Sequence, residues 1–402
     1  MRKILIIAGF VIVVVGIGFG IYFAFFRTPA PVAEISVTEE PTGSAGGLPG
    51  SGLAGTRPAG TPSEVAGTTV GLPSAKTIST SDIALSGAMG LTLANDGISV
   101  QYYDSNSGLF YKVGANGALV PLSNKKFFNV QKATWSDDGG KAILEYPDGS
   151  KIVYDFATDK QLVTLPKHWQ DFEFTPAGDK IISKSLGDDI NNRWLIISDV
   201  NGTNSKVITA LGDNADKVEV AMSPDSQVVG FSRTGDPTGE AGTQEVYLIG
   251  QNNENFKSLK VKGYNFSAAW AKEGDRIIYS VADPANGYKP TLWVADASGD
   301  NIGTNAVKIN LDTFVDKCAI ISGYKAYCAV PKSLDDGTGL DARLATATDD
   351  QIYFVNLRTG ATSFIGAPDT AASIGKISVS ADESYLYFTD QANNGLHQMK
   401  IK

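Results

Sequence analysis

The stretch WSDDGGKAIL, beginning at Trp135, returns in altered form along the chain, and that return limits the possible folds more than any other feature. Its counterparts are FTPAGDKIIS from Phe174, MSPDSQVVGF from Met222, WAKEGDRIIY from Trp270 and VSADESYLYF from Val379. LANDGISVQY from Leu93 fits the same frame, and ISGYKAYCAV from Ile321 is a shorter version. The seven anchors are separated by 42, 39, 48, 48, 51 and 58 residues, the length of one four-stranded propeller blade.

Each copy has the same physical logic. An apolar or aromatic anchor ends a strand, and Ser, Pro, Asp and Gly supply a turn, because Asp and Ser bond nearby backbone and Gly tolerates positive φ. A run rich in Ile, Val, Leu or Tyr then opens the next strand. Its near-continuous apolar character suits a strand covered on both faces. Trp135 is expected to pack between blades, and Asp138-Gly139 to make a corner without chemistry of its own. A second element recurs downstream of each anchor, as in KIVYDFATD from Lys151 and TLWVADASG from Thr291, and reads as a third strand. Lys206-Val-Ile-Thr-Ala-Leu reads as a fourth. The prediction is an all-β propeller of about seven four-stranded antiparallel blades, with six and eight as the neighbouring counts. The last repeat, ending GLHQMKIK, has three strands, and Lys76-Thr-Ile-Ser-Thr is expected to supply its fourth.

The anchor–Ser–Pro/Asp–Asp–Gly frame resembles the TolB-type, WD-repeat-like propellers of bacterial cell envelopes over about residues 76–402. The resemblance implies a propeller fold and leaves function open. No separate N-terminal α/β domain like that of TolB is visible in this sequence.

Residues 4–26 contain no charged side chain and, as a helix, reach roughly 34 Å, enough to cross a bilayer core. They are read as an uncleaved transmembrane helix, with cleavage at Ala30-Pro31-Val32-Ala33 as the competing reading. Residues 1–3 form a cytoplasmic tail, because Arg2 and Lys3 precede the helix and only Arg27 follows it directly. Gly16 and Gly20 form a GxxxG pair suited to close helix packing. Residues 27–75, rich in Pro, Gly, Ala, Ser and Thr, read as a flexible linker, and no aromatic occurs between Phe26 and Tyr102. The expected location is therefore the cell membrane, single-pass, with the propeller outside the cytoplasm. Beyond residue 26 the chain carries 32 basic and 43 acidic groups, a poor surface for nucleic acid.

Cys318 and Cys328 are the two cysteines, and in the repeat frame they lie opposite one another on a hairpin. Outside the cytoplasm they are expected to form a disulfide. His168 and His397 are too few and too scattered for a zinc site. No G-x-S-x-G elbow occurs. The acidic pairs Asp188-Asp189, Asp335-Asp336 and Asp349-Asp350 read as solvated loops, with calcium as the minority reading. The longest insertions cover 235–244 and 331–350. Sequons begin at Asn201 and Asn265. No catalytic, metal or cofactor residue is assigned, and a non-enzymatic role is expected: a scaffold binding a protein, peptide or envelope polymer. The alternatives are a propeller lyase, lactonase or glycosidase with acids near the channel, and a self-associating envelope protein.

Overall fold

A computed structural model describes residues 76–235, 242–252, 254–345 and 348–402. The readings of a tail at 1–3, an anchor at 4–26 with Gly16 and Gly20, and a linker at 27–75 fall outside these residues. Among the described residues no helix is long and apolar enough to cross a membrane.

Seven sheets form, six of four strands and one of five. The first strands of blades 1 to 7 are Ala88–Leu93, Lys132–Trp135, Trp169–Phe174, Val218–Val220, Tyr264–Trp270, Cys318–Ser322 and Ile374–Val379. Successive first strands lie side by side and close into a ring, so they are the innermost strands of a seven-bladed propeller. The four strands of each blade pair antiparallel, as in the pairing of Arg276–Asp283 with Lys289–Asp296, and the fifth strand of one sheet is an added parallel one.

The buried second strands explain the unbroken apolar runs. In blade 5, Ile277, Tyr279 and Val281 pack with Val228, Phe231 and Leu248 of blade 4. Between them Ile278 faces the other way, into a cluster with Val330 and Val355 of blade 6. Blade 3 repeats the arrangement, with Ile181 packed toward blade 2 and Ile182 toward blade 4. Each such side chain contributes about 1.5–3 kcal/mol by leaving water, so the core consists of the surfaces between blades.

Five anchors end their strands: Leu93, Trp135, Phe174, Trp270 and Val379. Met222 lies two residues beyond Val218–Val220, and Ile321 sits inside Cys318–Ser322 at a register shift. Trp135 is only partly buried. It meets Phe110 edge to face and lies tilted against Phe156, and its Nε1–H donates to the Gly90 carbonyl of blade 1 at 2.7 Å. Trp270 makes the corresponding bond to Ala221 of blade 4 at 3.4 Å.

The turn after each anchor is built from one set of bonds. Ser136, Ser223 and Ser380 donate their hydroxyls to Asp138, Asp225 and Asp382. The same hydroxyls accept from the backbone N–H five residues on, at Lys141, Val228 and Tyr385. Thr175 does this with Asp179 and Lys180. Gly139 then takes φ 63°, while Ser226 at φ 62° and Glu383 at φ 57° hold that left-handed position without being glycine. Asp138 thus serves the turn, and Asp137 is exposed beside it.

The closing strand differs from the expected one. Thr80–Ala84, not 76–80, completes blade 7, pairing antiparallel with Gly395–Lys400. Thr77–Ile78 instead runs parallel to the outer strand of blade 6. Two side chains set this register. Asp369 accepts from the Thr80 N–H at 3.0 Å, and Asp82 meets His397 Nδ1 at 2.8 Å.

Cys318 and Cys328 are bonded as a disulfide across directly opposed positions, with Cα atoms 4.1 Å apart. It joins the first two strands of blade 6, the blade whose joining turn is shortest and lacks the serine–aspartate bonds.

Candidate binding site at the channel mouth

The two faces of the disk are built differently. The serine–aspartate turns join first strands to second strands and lie on one face. The connections between second and third strands lie on the other, and they include the insertion of blade 6. First strands begin on this second face, and there the channel opens into a cavity of about 430 Å³. Its wall includes Lys132, Asp171, Lys184, Glu219, Arg233 and Asn265.

The local backbone explains why polar side chains point inward. Register shifts interrupt the first strands of blades 3 and 5 between Gln170 and Glu173 and between Tyr264 and Ser267. Asp171 and Asn265 sit in these bulges at φ 53° and 52°. A bulge re-aims a side chain at the rim of a sheet, and short polar Asp and Asn tolerate that conformation best. Lys184 bonds Asp171 at 2.7 Å and is nearly buried.

Further along the channel, carboxyl groups tie neighbouring blades together. Glu173 accepts from the Met222 N–H at 2.9 Å. Glu219 accepts from Ser267 Oγ at 2.9 Å and from the Ala268 N–H. Burial pushes Glu173 up to about 8, with Asp137 and Glu219 adding repulsion. Burial likewise pushes Glu219 up to about 7. Asp316 is raised by burial against the pull of Lys376. Lys376 is lowered by burial, with Lys132 adding to the effect and Asp316 opposing it. Asp316 and Lys376 nevertheless remain accessible to solvent.

The insertion of blade 6 folds across blade 5. Gly337 N–H donates to Gly287 O at 2.7 Å, and Gly339 N–H donates to Tyr288 O at 2.8 Å. Asn265 Nδ2 donates to Gly339 O at 2.9 Å, which fastens the insertion to the cavity wall. Beside it Tyr264 and Tyr288 stack with ring centres 6.3 Å apart. Both remain exposed, as do Leu340 and Leu344 of the insertion. An apolar ledge therefore adjoins the charged cavity.

The residues singled out from the sequence are spread through the fold. Asp189 caps a short turn by accepting from the Asn191 N–H. Asp336 lies 3.7 Å from Lys289, and Asp349 lies 3.1 Å from Lys332. Asp350, read as a solvated loop residue, is fully buried. It bonds Lys317 Nζ at 2.9 Å and accepts from the Ile374 N–H, joining blade 6 to blade 7. Asn265, read as a sequon, has its amide committed to Gly339. His168 is remote from His397, and no group of three His, Cys, Asp or Glu suited to a metal occurs among the described residues.

The channel charges were not assigned from the sequence, although a signal for them exists. Lys132, Asp171, Glu219 and Lys376 each stand three places before an anchor, and Glu173 stands one place before. In a strand these positions share a face.

No family model matches the chain, and no curated protein does. Solved structures match in fold. The Cps50 (Swd1) β-propeller domain of Myceliophteria thermophila aligns with a TM-score of 0.55 at 10% identity, covering 80% of this chain and 100% of that one. An oligogalacturonate lyase in complex with manganese gives 0.52 at 13% identity, covering 82% and 97%. Hydrazine synthase of Kuenenia stuttgartiensis gives 0.50 at 12% identity, covering 79% and 97%. The likeness is one of fold.

Proposed function

We propose that this chain is a non-catalytic binding propeller that engages a protein or peptide on its insertion-bearing face. The observation that carries this reading is the exposed ledge of Tyr264, Tyr288, Leu340 and Leu344 beside the channel cavity. Aromatic side chains beside a polar pocket are the usual anchors of recognition surfaces. The ledge is held by backbone bonds to blade 5, so little ordering is needed when a partner arrives. The propeller sits outside the cytoplasm, tethered through 4–26 and 27–75. The Cys318–Cys328 disulfide supports an oxidising compartment, and the apolar run supports the anchor.

A random peptide library displayed against the purified full chain tests this. Peptides should be enriched, and their affinity should fall about tenfold or more in a Tyr288→Ala, Leu340→Ala variant. Enrichment untouched by that change sinks the reading.

The enzymatic reading draws on Glu173 and Glu219, since raised carboxyl groups in a cleft suit proton transfer. One oxygen of each holds the next blade, and the ledge lies outside such chemistry. Turnover of a glycan or lactone panel, abolished by Glu219→Gln, would favour the enzyme.

A further inference from the structure

The cavity at the channel mouth is lined by more cations than carboxylates, the reverse of the chain's overall balance. The chain as a whole has net charge −9. Yet the cavity wall holds Lys132, Lys184 and Arg233 against Asp171 and Glu219. Lys184 and Asp171 neutralise one another. Glu219 has one oxygen occupied by Ser267 and Ala268; burial raises it and Arg233 opposes the rise, and even with Glu219 charged the cations of the wall outnumber the carboxylates.

The remaining cations have weak partners. Arg233 Nη2 donates to the Asp216 carbonyl at 2.7 Å, and Nη1 donates to Asn265 Oδ1 at 3.4 Å. Among the described residues it makes no ion pair with a carboxylate. Among the described residues Lys132 pairs with Glu145, at 3.7 Å, and more than half of its side chain is exposed. Backbone carbonyls orient a guanidinium without cancelling its charge, so Arg233 is held in place, and it attracts Glu219 without closing an ion pair. Asn265 connects this arginine to the insertion that carries Leu340.

We infer that the cavity receives a carboxylate side chain of an acidic peptide segment, with Arg233 and Lys132 as its partners, while the tyrosine–leucine ledge holds the apolar residues beside it. The inference rests on the binding reading above and names the chemistry of the ligand. A cavity of about 430 Å³ has room for one or two side chains. In an otherwise acidic molecule, a locally positive mouth also selects orientation, since a wrongly placed segment meets like charge.

The probe is a set of synthetic decapeptides with a fixed Tyr-Leu pair and, two residues away, Asp, Asn or Lys. Binding to the full chain is followed by fluorescence anisotropy. Asp peptides should bind about tenfold tighter than Asn peptides, with Lys peptides weakest, and the preference should shrink at high salt. Arg233→Gln should bring Asp peptides to the Asn level and leave Asn peptides unchanged. Lys132→Gln, at a more exposed site, should give a smaller loss in the same direction, with unfolding midpoints showing that both variants fold.

Equal affinity for Asp and Asn peptides, or equal loss of both in Arg233→Gln, would overturn the inference while binding sensitive to Tyr288→Ala keeps the broader reading intact. An Asp preference that Tyr288→Ala, Leu340→Ala leaves untouched removes the ledge reading and retains the carboxylate site. If no peptide of the set binds, both are overturned.

Discussion

The two faces of this propeller use the same strands for different ends. On the turn face, four blades repeat a hydroxyl–aspartate–backbone arrangement almost bond for bond. On the insertion face, blades 1 and 7 share one short turn built on Asp104 and Asp390, whereas the long insertion of blade 6 crosses to a neighbouring blade. Repetition marks the face whose task is folding. The other face carries the cavity, the ledge and the weakly partnered cations Lys132 and Arg233. A substitution on the first face should therefore move stability without touching binding, and one on the second should do the reverse.

The largest expected effect is that of Trp135→Ala. A fully buried tryptophan would cost about 3–5 kcal/mol, but this one is partly exposed, so about 2–4 kcal/mol is expected, including the orphaned Gly90 carbonyl. Urea unfolding measures it, and peptide affinity should remain within about twofold after correction for the folded fraction. A large loss of binding in the folded protein would break the separation of faces. Replacing Cys318 and Cys328 together with Ala should cost about 2–3 kcal/mol, the loop-closure value for a short bridge. That loss should exceed the effect of Tyr288→Ala on stability, which is expected to stay below about 0.5 kcal/mol because the ring is exposed.

The channel carboxyls lie between the faces and give a pH signature. Glu173 and Glu219, raised to about 8 and about 7, keep their protons in the folded protein where the unfolded chain has released them. Their contribution to stability is complete below about 4.5 and is lost as pH rises through 7 to 8. Urea midpoints should fall between pH 6 and pH 9, and Glu173→Gln should flatten that fall. An unchanged slope in the variant would show that Glu173 is not the group responsible. A change of opposite sign is expected of Ser226→Gly, which relieves a left-handed serine in the turn and should stabilise by about 0.5–1 kcal/mol.

The same contrast governs what the sequence discloses. The anchors and third strands were legible because each blade restates them, and a repeated pattern exposes its physical cause. The opposed positions of Cys318 and Cys328 followed from that frame. The closing strand was displaced by four residues, because Asp369 and His397, far away in sequence, set its register. The channel charges were legible in principle from their fixed offset before the anchors. The ledge was not. It exists because an insertion of blade 6 hydrogen-bonds to the backbone of blade 5, and neither segment announces the other. Asp350 fails for a similar reason, since its partners Lys317 and Ile374 are remote in sequence.

Site-specific photo-crosslinking in intact cells compares the two faces most directly. A photoreactive side chain at position 288 samples the insertion face, and one at position 138 samples the turn face. Capture of a discrete partner from position 288, lost on adding an acidic Tyr-Leu peptide and absent from position 138, is the predicted result. Capture from position 138 in preference to 288 would contradict the assignment of binding to the insertion-bearing face.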